Sequence, residues 1–145
     1  MTVHLIKLSV GSENFESMQA YQSRRIEAAR KAGLPPWSIH RTRSMPRRRD
    51  EVLDGGSIYW VVKGVLLCRN PIRALVAKFD ADERPFCEIQ YGPELIRVLP
   101  HPRRPFQGWR YFEPEDAPPD LDSVAGGSGE PPPEMAAELR ALGLI

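Results

Sequence analysis

Asp54-Gly55-Gly56-Ser57-Ile58-Tyr59-Trp60-Val61-Val62-Lys63-Gly64 is the stretch whose reading decides the fold. Asp-Gly-Gly suits a tight turn, because Gly accepts positive φ freely and Asp bonds its own backbone. Ile58 to Val62 are β-branched, aromatic or aliphatic without a polar break, which predicts a buried strand entered by that turn. Gly55-Gly56-Ser57 is not a phosphate loop: it precedes a strand rather than a helix and lacks a spaced Gly-Lys-Ser/Thr.

Downstream, Ile58–Cys68 and Ile72–Phe79 read as an antiparallel pair joined across Arg69-Asn70-Pro71, because Asn-Pro is a turn signal. Asp80–Pro85 is a charged loop, and Phe86–Tyr91, Leu95–Leu99 and Phe106–Phe112 are further strands. Pro100, Pro102 and Pro105 hold the backbone around His101, Arg103 and Arg104 extended.

Upstream, Val3–Val10 predicts a first strand. Gly11 breaks it, and Ser12 is the expected N-cap of a helix over Glu13–Ala32, with Phe15, Met18, Ile26 and Ala29 at helical spacing. Gly33 and Pro35-Pro36 stop that helix. Trp37–Arg49 reads as irregular, and Asp50–Leu53 as one helical turn.

The expected class is therefore α+β: one N-terminal helix packed on a curled, mostly antiparallel sheet or small β-barrel. Residues 1–121 form the domain. Residues 122–145 are expected to be a flexible acidic Pro/Gly-rich tail, with a short terminal helix over Glu134–Leu142.

At 145 residues the chain has room for one domain and a real core. No window approaches the ~18 apolar residues that span a bilayer, and Met1–Lys7 does not read as a signal peptide. Cys68 and Cys87 are too few for a disulfide framework and fit a reducing cytoplasm. A net charge of +1 conceals an asymmetry. Residues 1–112 carry 19 Lys+Arg against 11 Asp+Glu, a net +8, while residues 113–145 carry 1 against 8, a net −7.

No pair among His4, His40, His101, Cys68 and Cys87 has metal-ligand spacing, so no metal or other cofactor is expected. No catalytic constellation stands out, although His101 beside Arg103-Arg104 is the His best placed for acid/base work. What remains is basic and aromatic. Arg41, Arg43, Arg47, Arg48 and Arg49 form one cluster; Arg103 and Arg104, with Gln107, Trp109, Arg110 and Tyr111, form another. Arg clusters beside aromatics suit single-stranded nucleic acid, whose phosphates are neutralised while bases stack.

Leu53–Gly64 and Arg103–Tyr111 resemble one uncharacterised bacterial family, catalogued as domain of unknown function 1489. Val3-His4-Leu5-Ile6-Lys7-Leu8 and Pro114–Leu121 resemble it as well. This family brings no assigned activity. Arg47–Trp60 is also similar to the PUA-like group, with its ASCH and EVE domains, where an Arg-containing segment leads into a turn and a barrel strand. That similarity implies binding of RNA or a modified nucleotide.

The leading expectation is a cytoplasmic domain that binds RNA or single-stranded nucleic acid through these Arg residues. Two alternatives stand beside it. One is an enzyme on a small anionic or nucleotide-like ligand, using His101 and Arg103-Arg104. The other is an interaction module docking through Met135, Leu139 and Leu142.

Overall fold

A computed structural model describes residues 1–104 and 106–122. Its elements in chain order are β1 (His4–Leu8), α1 (Phe15–Lys31), β2 (Ser38–Thr42), α2 (Arg49–Val52), β3 (Ser57–Val62), β4 (Val65–Phe79), β5 (Pro85–Tyr91), β6 (Ile96–Pro102) and β7 (Trp109–Phe112). A 3₁₀ turn follows at Pro114–Asp116. The class is α+β, with one main helix and seven strands among the described residues.

β3 is the centre of the molecule. All six of its residues are buried, and it pairs parallel with β1 and antiparallel with β4. Ile58, Trp60 and Val62 face one core with Leu5, Met18, Leu75, Ile89 and Tyr91. Tyr59 and Val61 face a second, with Ile6, Leu66, Val98 and Phe112. A strand wetted on neither side carries an unbroken apolar run, and this one does.

The strand order is β2-β5-β4-β3-β1-β7, with β6 also on β4. β4 is 15 residues long and changes partner along its length. Val65 to Pro71 pair with β3, Val65 to Arg69 also with β6, and Ile72 to Phe79 with β5. Among the described residues the sheet is thus mixed and open, with β2 and β7 at the ends of that order and not paired to each other, rather than closed into a barrel. The segment after β2 reaches across to β7, where the Arg48 amide donates to the Tyr111 hydroxyl at 3.0 Å.

The hairpin expected at Arg69-Asn70-Pro71 lies elsewhere. β3 turns into β4 at Lys63-Gly64, which take φ of 48° and 80°. Two successive positive φ values match the right-handed twist of the flanking strands in a two-residue hairpin. Asn70-Pro71 instead runs straight through β4, because Asn70 has a structural task there. It is fully buried, accepts from Trp60 Nε1 at 2.8 Å and exchanges two 3.0 Å bonds with the Gln22 amide. It also donates to the Glu94 carbonyl at 2.6 Å. A single amide therefore ties helix α1, strand β3 and the entry to β6 together.

Three smaller corrections follow from geometry. The N-cap of α1 is Asn14, not Ser12: its carboxamide accepts from the Ser17 amide at 2.8 Å, and Ser17 closes a reciprocal capping box. Ser38–Thr42, expected to be irregular, is an edge strand on β5. The last strand begins at Trp109, not at Phe106. Further on, Asp120 takes a two-point ion pair from Arg69 at 2.9 Å per bond, and Val98 bridges to Asp120. The Arg69 guanidinium holds the Asp120 carboxyl below its ordinary value. The short helical turn expected at Asp50–Leu53 is present as α2. Gly56 is required for space: a Cβ there would press on the backbone oxygens of Val52 and Val3. The expected terminal helix lies outside the described residues. Among the described residues no helix is long and apolar enough to cross a membrane.

Candidate functional site

β1 ends at Leu8, and the chain turns through Gly11, at φ 90°, before entering α1. On α1, Met18, Tyr21, Gln22 and Arg25 fall on one stripe by the 3.6-residue period. That stripe stands over the ends of β1 and β3 and the inward side of β2 and β5. Between them lies a cleft of about 430 Å³. Its floor is Met18, Gln22, Trp60 and Tyr91, each buried. Higher up are Lys7, Arg24, Arg25, His40 and the half-exposed ring of Tyr21, with the hydroxyls of Ser9 and Ser12 at the β1–α1 turn.

The electrostatics of this cleft are one-sided. Among the described residues no Asp or Glu lines it. Among the described residues Lys7, Arg24 and Arg25 make no ion pair. Burial lowers the pKa of Lys7. His40 is pushed down to about 4, first by burial and then by Lys7 and Arg25, so it is neutral near pH 7. Burial also raises the Tyr91 hydroxyl. The cleft is aromatic at its floor and rim: Trp60 and Tyr91 sit 5.5 Å apart in the floor, and above them the Arg25 guanidinium lies 5.6 Å from the Tyr21 ring. Fixed cations in a partly dry concavity attract an anion more strongly than the same charges in open water. Flat aromatic side chains supply apolar contact for a ring.

The residues that the sequence marked out are dispersed. Arg41 lies over the Phe86 ring at 5.1 Å, on the side of β2 away from His40. Arg43 reaches Asp80 at 3.5 Å and the Pro85 carbonyl at 3.2 Å. Arg48 is committed internally. Its guanidinium binds Glu51 at two points and Glu113 at 2.6 Å, and it stacks on Tyr111 at 5.3 Å. Arg47 and Arg49 are exposed.

Around β7, Arg103, Arg104 and Arg110 join Phe106 and Pro102 in a shallow groove, with Arg110 over Phe106 at 5.1 Å. Trp109 and Tyr111 are on the opposite face of β7, half-buried against the main core and edge-to-face at 5.0 Å. Gln107 is exposed. The two Arg clusters therefore do not meet in one groove, because β7 separates Arg48 from Arg103 and Arg110. His101 is exposed on β6 and lines neither concavity.

Among the described residues no three of His, Cys, Asp and Glu gather as a metal set. Cys68 and Cys87 are free and buried, and burial pushes the Cys68 thiol up to about 12. Lys7, Arg24, Arg25 and His40 carried no sequence signal as a group, being drawn from β1, α1 and β2. The one local hint was the unbalanced Arg24-Arg25 pair on a helix whose buried face is thin.

No curated protein and no solved structure matches the chain. The family described as protein of unknown function (DUF1489) matches residues 5–145. With nearly its whole length matched, the chain belongs to the DUF1489 family.

Proposed function

We propose that this protein binds single-stranded nucleic acid, RNA above all, by taking one nucleotide into the cleft between α1 and β1. The observation that carries this reading is a concavity with three cations, a neutral His and aromatic side chains, and, among the described residues, no ion pair to those cations and no lining carboxylate. A volume of about 430 Å³ falls within the ~300–1,000 Å³ of ligand sites. Lys7, Arg24 and Arg25 neutralise phosphate, while a base lies against the half-exposed Tyr21 ring. The exposed Arg41, Arg43, Arg47, Arg49, Arg104 and Arg110, with the half-buried Arg103, provide the wider positive field that steers a polyanion toward the molecule. Arg48 has a structural part. In this reading the curled open sheet with α1 across it is a PUA-like scaffold, and the protein works in the cytoplasm.

The test is fluorescence anisotropy of a labelled short single-stranded RNA at stepped salt concentrations. Affinity is expected to fall linearly in log–log form, by about 0.7 per phosphate neutralised. The double substitution Lys7→Ala/Arg25→Ala is expected to weaken binding at least tenfold and to flatten the slope by more than one unit. Binding that ignores salt, is undetectable at low ionic strength, or survives that double substitution unchanged would refute the proposal.

A further inference from the structure

The cleft is lined by more cationic charge than one link of a nucleic-acid backbone requires. An internal phosphodiester carries one negative charge, whereas Lys7, Arg24 and Arg25 bring three positive ones, and among the described residues no acidic side chain pairs with them. A phosphate monoester carries roughly −1.5 to −2 at neutral pH and presents three terminal oxygens. The shape points the same way. Met18, Gln22 and Trp60 close the inner side as a buried floor, with relative exposures of 4%, 4% and 5%. A strand can put an end into such a cavity more readily than it can thread through it.

Resting on the nucleic-acid reading above, we infer that the cleft selects a terminal phosphate monoester attached to a nucleoside over an internal phosphodiester. The ligand is then either the phosphorylated end of a strand or a free nucleoside monophosphate. Lys7 is half-buried beside neutral His40, while Arg25 is exposed and comes within 3.5 Å of the Tyr21 hydroxyl and the Ile39 carbonyl. The number of charges gathered at the cleft favours the ligand with the denser charge.

The full-length protein is titrated with one short RNA sequence in three forms: 5′-phosphorylated, 3′-phosphorylated, and with hydroxyls at both ends. Nucleoside monophosphate and inorganic phosphate serve as competitors. At least one phosphorylated form is expected to bind ten or more times tighter than the hydroxyl form. Lys7→Met and Arg25→Met are each expected to erase most of that difference. Displacement by the monophosphate at lower concentration than inorganic phosphate confirms that the nucleoside is recognised; equal displacement by the two overturns that part. Three RNAs that bind within twofold of one another overturn the inference while leaving nucleic-acid binding intact. Failure of all three RNAs to bind overturns both.

Discussion

Replacing Asn70 by leucine is expected to cost about 4 kcal/mol of folding stability, measured by urea denaturation at neutral pH. The side chain is fully buried and completes bonds to Trp60 Nε1, both atoms of the Gln22 amide, and the Glu94 carbonyl. Leucine fills a similar volume but leaves Trp60 Nε1 and the Gln22 amide dry and unsatisfied, at roughly 1–3 kcal/mol for each buried group. Against a total of about 5–15 kcal/mol for a domain of this size, the loss is large. A double-mutant cycle sharpens the test. Gln22→Leu on the Asn70→Leu background removes one orphaned amide, so the double variant should be more stable than the sum of the two single costs implies. Strictly additive losses would mean that the amide pair contributes nothing as a pair.

The second large effect is on pH. His40 has a folded-state pKa of about 4 against an ordinary value of 6.5. The unfolded chain therefore takes up the proton first as pH falls, and protonation favours unfolding. Stability from this residue is complete above pH 6.5, is lost progressively between 6.5 and about 4, and changes no further below that. From pH 7 to pH 4.5 the loss amounts to about 2 kcal/mol. His40→Gln cannot titrate, so its stability should decline less than the wild type's by about that amount over the same interval. Parallel pH profiles for the two proteins would show that His40 is not held neutral by burial, Lys7 and Arg25.

Much of the fold was legible because its strongest signals are local. Ile58 to Val62 named the central strand, and Gly33 with Pro35-Pro36 ended the helix close to Lys31. The failures share a physical cause, which is that tertiary contacts overrode local preference. Asn70-Pro71 has the composition of a turn, yet Asn70 gains several buried hydrogen bonds by staying extended. Lys63-Gly64 makes the real hairpin, and Lys is an uncommon residue at a positive φ. β2 was obscured because an edge strand with one wetted face can hold Arg41 and Arg43 near it without penalty. Barrel closure depends on whether β2 and β7 pair, and neither sequence carries that information.

The candidate site was harder still. Density of Arg drew attention to Arg47-Arg48-Arg49, but Arg48 spends its guanidinium on Glu51, Glu113 and Tyr111. The cleft draws Lys7, Arg25, His40, Trp60 and Tyr91 from five separate elements. None is remarkable alone; only the curl of the sheet and the placement of α1 make them neighbours. What matters there is that no described lining residue is a carboxylate, which is a property of a surface and not of a segment.

The central claim is a location: the ligand enters between α1 and β1. Backbone amide chemical-shift mapping by NMR, with a short phosphorylated single-stranded RNA added to the isotopically labelled protein, tests it most directly. The account expects the largest and saturable changes at Ser9, Gly11, Ser12, Arg25 and His40, with smaller ones along Arg103, Arg104 and Arg110. Changes confined to the Arg103–Arg110 groove or to Arg41 and Arg43, with the cleft amides unmoved, would contradict it.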